Sequence, residues 1–312
     1  MRKSGCRHVE RNQKGDTMPL LSPVQQSMQR TSCRCVCGSF DKVRNVRLKS
    51  NTRDAPRDHV VRLSGEVFFA ILNLNHMKRL LSSGSLISLQ QDIVGCRLCP
   101  RLVEWREATA VNKVRRYASW KYWGKPVPGF GDAAASLLVV GLAPAAHGGN
   151  RTGRMFTGDR SGDWLYGALY KFGFSSQPHS VSRDDGVRLN DCYITASVRC
   201  APPANKPLRL ESENCRKYLL REFELLGNVR VVVALGRVAF DAVLGAMRFL
   251  GKDNWTARPR FAHAGEFDLG GSLTLIASYH PSQQNTFTGT LTRVMFDRVF
   301  RRARAILNRE RH

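Results

Sequence analysis

The chain has 312 residues, 42% of them hydrophobic, with a formal net charge of +24 and a pI near 10.4. That length supports one large core or two modest ones, and the charge calls for an acidic polymer as partner, nucleic acid before membrane. No apolar run reaches the roughly eighteen residues of a membrane span, and residues 1–50 lack the apolar stretch of a secretory leader. The chain is therefore read as cytoplasmic, where thiols stay reduced and its nine cysteines are candidates for metal before disulfides.

Residues 1–76 stand apart from residues 77–312. They carry 14 Lys/Arg against 6 Asp/Glu with few periodic apolar positions, a composition that does not support a core. Cys33, Cys35 and Cys37 alternate without a distant partner pair, which makes a poor zinc signature. This basic tail either adds phosphate contacts to DNA or precedes a natural start nearer Met77. From Leu80 a helical pattern runs to a break at Cys96–Pro100 and resumes over Leu102–Arg106. Residues 114–132 then interleave Arg115, Arg116, Tyr117, Trp120, Lys121, Tyr122 and Trp123. Cations among aromatics suit a nucleic-acid strand, since phosphates meet charge and bases meet rings. The other reading is that Trp120 and Trp123 pack under a Pro-Gly loop.

Four apolar β-type runs follow, at 137–141, 192–198, 229–235 and 273–278, with helical patterns near 161–172, 211–226, 236–249 and 291–307. Continuous apolar strands separated by helices predict a parallel sheet covered on both faces, an α/β fold. A glycine-rich loop over 141–159 leaves the first run and feeds a helix. Open α/β sheets place ligands at such strand ends, and a loop this long in a compact domain is usually functional. The last run ends in Tyr279-His280-Pro281, on the same side of a parallel sheet, so His280 can face the glycine-rich loop. A donor to a developing anion is a chemistry that geometry permits.

Cys96 and Cys99 form a CxxC, and Cys200 and Cys215 supply two further thiols downstream. Four soft ligands suit zinc or an iron–sulfur cluster; this spacing fits neither a zinc finger nor a ribbon well. Cys192, inside a β-type run, is read as core.

Four motifs, GLAPAAHGGNRTGRMFTGD, the CxxC, VRCAPPANKP and HPSQQNTFTG, together resemble those of the family 5, or type-B, iron–sulfur uracil-DNA glycosylases. The resemblance runs from about Met77 to the C-terminus. It implies a three-layer α/β/α sandwich on a four-stranded parallel sheet, a structural [4Fe-4S] cluster on Cys96, Cys99, Cys200 and Cys215, and a monomeric, nucleoid-associated enzyme. The implied reaction is hydrolysis of the N-glycosidic bond of uracil, and of other deaminated bases such as hypoxanthine, in double- and single-stranded DNA during base excision repair.

Chemistry on a base requires flipping it into a pocket. The resemblance makes Phe156 the stacking ring and Asn205 the reader of the base edge, with Gly141 and Ala143 completing the substrate site. His280 becomes the donor to the departing base, and Ser282, Gln283, Gln284 and Asn285 contact the DNA. One departure concerns water. Better-known uracil glycosylases carry Asp or Asn where this chain has Ala143, so Asp159 is the carboxylate the family pattern offers for stabilising the sugar cation or orienting water. Flanked by Arg154 and Arg160, it has a second reading as a loop-fixing salt bridge. Two rival classes are a non-catalytic iron–sulfur nucleic-acid binder and a nucleotide-binding redox protein. The loop lacks the GxGxxG and Lys-Ser/Thr clamp that the second needs.

Overall fold

The computed structural model describes residues 85–253 and 255–309. The tail over 1–76, with Cys33, Cys35 and Cys37, as well as Met77 and the helix start at Leu80, lies outside them. Helices α1 (Leu86–Val94) and α2 (Pro100–Val111) come first. Ser85 caps α1 by accepting from the Ser88 amide, and Pro100 opens α2 at its first turn, where a missing N–H costs nothing.

The sheet has six strands, β1 (Phe130–Gly131), β2 (Leu137–Gly141), β3 (Cys192–Ala196), β4 (Val231–Leu235), β5 (Glu266–Asp268) and β6 (Thr274–Ser278), in the order β1-β3-β2-β4-β6-β5. The four apolar runs form the parallel centre, β3-β2-β4-β6. The expectation of four strands is corrected at both edges, where β1 joins β3 and β5 joins β6 antiparallel. Both edge strands are short and partly polar, so they lack the apolar signal that marks the buried ones.

Alternation along the central strands splits the core in two. Leu137, Val139, Ile194, Val231 and Val233 point to one face, which is covered by α4 (Arg160–Lys171) and α8 (Arg293–Arg309). Leu138, Val140, Val232 and Ala234 point to the other, under α5 (Arg209–Leu225) and α6 (Arg237–Phe249). The result is the expected three-layer sandwich. Cys192 is fully buried, as its place in a strand predicts. Two short helices, α3 (Gly149–Thr152) and α7 (Gln283–Phe287), ride on the loops after β2 and β6. No helix among the described residues is long and apolar enough to cross a membrane.

Chain direction fixes where a site can form. From β2 the chain crosses to β3 on one side, whereas from β4 it crosses to β6 on the other. A crevice therefore opens at the carboxyl ends of β2 and β4, the usual ligand position in such sheets.

Candidate active site

The loops leaving β2, β3 and β6 enclose a cleft of about 530 Å³ at that crevice. Its walls include Ala143, Phe156, Asp159, Asn205 and His280, with Ser282, Gln283 and Gln284 at the α7 side. Residues far apart in sequence are thus brought together, as the motifs suggested.

Phe156 is fixed from below by a glycine. A Cβ on Gly141 would lie 2.6 Å from Phe156 Cζ, so only glycine lets the ring rest on the end of β2. The Phe156 carbonyl likewise occupies the space that a Cβ on Gly162 in α4 would need. Phe156 itself has φ 53°, and Ala204 and Asn205 have φ 50° and 56°. Half of the six left-handed non-glycine residues described therefore belong to one cleft. Such conformations cost about 1–3 kcal/mol each and persist where the surroundings over-determine them. Asn205 is exposed, in a one-turn 3₁₀ segment over Pro203–Asn205, and lines the cleft.

His280 lies across from the ring, with the two centroids 6.0 Å apart and the planes inclined by 31°. Burial pushes its pKa down to about 4, so the imidazole is neutral near pH 7 and carries one N–H to donate. Its backbone is held by Asn285, whose amide Nδ2 donates to the His280 carbonyl at 2.8 Å. Asn285 thereby differs from its three neighbours. Gln283 and Gln284 are exposed at the rim and Ser282 caps α7, whereas the Asn285 side-chain amide is committed to the His280 loop.

Asp159 caps α4, its Oδ1 accepting from the Gly162 amide at 2.9 Å. Gly148 lies against the carboxylate so closely that a Cβ there would overlap Oδ2. Although part of the side chain opens to the cleft, the protein packed around it raises the carboxyl pKa; the Gly162 amide and the more distant Arg151 charge oppose that rise. The salt-bridge reading is corrected. Arg154 is buried and committed to Asp185 at 2.5 Å, and Arg160 lies over the Phe287 ring at 4.2 Å. Among the described residues no ion pair holds Asp159.

The two tryptophans divide between the two readings. Trp123 packs under the loop: its Nε1 donates to the Pro126 carbonyl at 3.0 Å, and its ring sits where a Cβ on Gly153 would be 2.9 Å away. Trp120 instead lines a second cleft beside the first.

The four cysteines singled out by their motifs also converge. Cys99, Cys200 and Cys215 are buried in one cluster at the contact of α1, α2 and α5, with Cys96 against it. All four are free thiols. Arg106, 2% exposed, donates from Nη1 to the Cys200 sulfur at 2.9 Å, and Asn214 reaches the Cys99 sulfur at 3.5 Å. A buried cation aimed at sulfur suits a donor set that carries negative charge. No group of three or more His, Cys, Asp or Glu among the described residues is disposed to hold a metal ion by itself. Ala143, at the cleft, packs on this same cluster, which links the cysteines to the loop after β2.

Sequence reading missed Gly148, Gly162 and Arg151, whose roles depend on contacts that no spacing announces. Residues 128–304 match the family model "Uracil DNA glycosylase superfamily". The chain is 50% identical over 225 residues, 72% of its length, to 82% of the Type-5 uracil-DNA glycosylase of Mycobacterium bovis. It is 50% identical over 216 residues, 69% of its length, to 95% of the Thermus thermophilus Type-5 uracil-DNA glycosylase. Against the Type-4 uracil-DNA glycosylase of Archaeoglobus fulgidus identity is 36% over half of this chain and 70% of that protein. With the sandwich, the crevice and the motif residues gathered there, these likenesses mean that the chain belongs to the uracil DNA glycosylase superfamily, in its type-5 branch.

Proposed function

We propose that the chain excises uracil from DNA by hydrolysing its N-glycosidic bond, leaving an abasic site for repair. The observation that carries this reading is the meeting of Phe156, Asn205, Asp159 and a neutral His280 in one cleft. A flipped base stacks on Phe156, and the Asn205 amide pairs with its Watson–Crick edge. As the bond between sugar C1′ and the base nitrogen breaks, its electron pair passes into the base, and the His280 N–H donates to the base oxygen where charge gathers. The Asp159 carboxylate stabilises the sugar cation. Water then adds to C1′ and its proton goes to solvent, giving free base and abasic sugar.

Ala143 brings no polar side chain to the site, so water is not gripped at that point and the rate depends on how readily the base leaves. That supports activity on other deaminated bases such as hypoxanthine; single- and double-stranded DNA as substrate and a monomeric enzyme are further parts of the proposal. Cys96, Cys99, Cys200 and Cys215 would hold a [4Fe-4S] cluster. Four soft thiolate donors suit such a cluster, and Arg106, which donates to the Cys200 sulfur, would balance its charge. When bound it would serve structure, bracing the Ala143 loop.

Incubation with uracil-containing duplex and scoring of alkali-labile sites tests the reading. Strand breaks at uracil are expected; tight binding without breaks would leave a nucleic-acid binder instead.

A further inference from the structure

Beside the base cleft lies a second one, of about 700 Å³, that shares Asp159, Arg160, Asn205 and Gln283 with it. Its outer wall comes from the basic, aromatic stretch before β1, through Arg116, Tyr117 and Trp120. Under that wall sits Arg151, 2% exposed. Its guanidinium carbon lies 3.9 Å from the Tyr117 ring centroid and 4.1 Å from that of Trp120. Nε and Nη2 donate to the carbonyls of His147 and Gly158 at 2.7 and 2.8 Å. Nη1 is buried without a partner, and among the described residues no carboxylate pairs with this cation. Arg116 and Arg160 add exposed positive charge to the same cleft. Its two carboxylates, Asp159 and Asp163, belong to the cap and first turn of α4 rather than to the Trp120 wall.

A buried cation with one unpartnered N–H, a cation-backed aromatic platform and exposed cations around them match one ligand chemistry, an aromatic base joined to phosphate. We propose that this cleft receives the nucleotide next to the excised one on the same strand, with its base on Trp120 and its phosphate near Arg116 and Arg160. The shared wall lets one strand occupy both clefts at once. The proposal rests on the glycosylase reading of the first cleft, and it gives the Trp120 segment a role that reading leaves empty.

A thermodynamic cycle tests it. Single-stranded oligonucleotides would carry an uncleavable 2′-fluoro-deoxyuridine, with the neighbouring base present or replaced by tetrahydrofuran on the 5′ or the 3′ side. For the natural chain, deleting the base on one side should weaken binding about 10-fold, within the usual range for base–aromatic stacking. In Trp120→Ala the same deletion should cost nothing further. Trp120→Phe keeps a ring over Arg151 and should retain part of the coupling, which separates stacking from local unfolding. Equal losses in the natural chain and Trp120→Ala on both sides, or no loss in the natural chain, would overturn the proposal. Excision of uracil, followed in parallel, judges the first cleft independently. Excision with an additive cycle sinks the second cleft alone, and a coupled cycle without excision sinks the glycosylase reading.

Discussion

Phe156 and Gly141 touch where no side chain can intervene, because a Cβ on Gly141 would stand 2.6 Å from Phe156 Cζ. The stacking surface is therefore set by the last residue of β2 as much as by the ring. Gly141→Ala should displace the ring while β2, buried along its whole length, keeps its pairing. Binding of uracil-containing DNA should weaken by roughly 10-fold, within the range of a lost base–aromatic stack, while the melting curve stays cooperative. A Gly141→Ala enzyme with natural affinity would show that the base does not lie on Phe156.

His280 should act on chemistry rather than on affinity. Removing one preorganised donor to a developing oxyanion costs on the order of 10²–10³ in rate, so His280→Ala should lower single-turnover excision by that factor with nearly unchanged affinity. An unchanged rate would take the histidine out of the mechanism.

The pH profile follows from two opposite shifts. Burial holds His280 down to about 4, so it stays neutral across the working range and produces no acid limb at its ordinary value. Burial raises Asp159, so its carboxylate is lost above the ordinary carboxylate range as pH falls. The acid limb of kcat/KM should then be a single step above the ordinary carboxylate value, absent in Asp159→Asn and unchanged in shape in His280→Ala. A limb centred near 6.5 that vanishes with His280 would reverse the assignment.

The sandwich was legible because four strands buried on both faces leave unbroken apolar runs, such as 137–141 and 231–235, that no exposed element imitates. The edges were not: Phe130–Gly131 and Glu266–Asp268 are two and three residues long, below any periodicity. In the site, chemistry-bearing residues stood out by motif, whereas the parts that hold them did not. Gly148 against Asp159, and Arg151 between Tyr117 and Trp120, depend on approach in space. Even the paired tryptophans needed the fold to separate them, since three residues of sequence put one under the loop and the other in a cleft.

The cysteine site predicts a brown protein containing iron and sulfide, with broad visible absorbance. Cys200→Ser should lose colour and fold stability together, because Arg106 would then face a hydroxyl in place of a charged sulfur ligand. Arg106→Lys, which keeps the charge, should retain the colour. Colourless, fully active protein that binds zinc would reject the cluster.

Asp159 should show a conflict between stability and activity. Because its folded-state pKa is raised, the folded protein holds that proton more tightly than the unfolded chain does. The charged form therefore destabilises the fold at pH 7, and the cost disappears as pH falls below the unfolded value near 3.8. Asn caps helices as well as Asp does, so Asp159→Asn preserves the acceptor for the Gly162 amide while removing the charge. The variant should melt higher than the natural chain at pH 7, with the difference closing in acid, and should excise uracil more slowly. The slowing should be smaller for bases that leave more easily, since their transition states ask less of a carboxylate. A variant that melts lower at pH 7 and loses the same factor on every base would mean that Asp159 serves the loop alone.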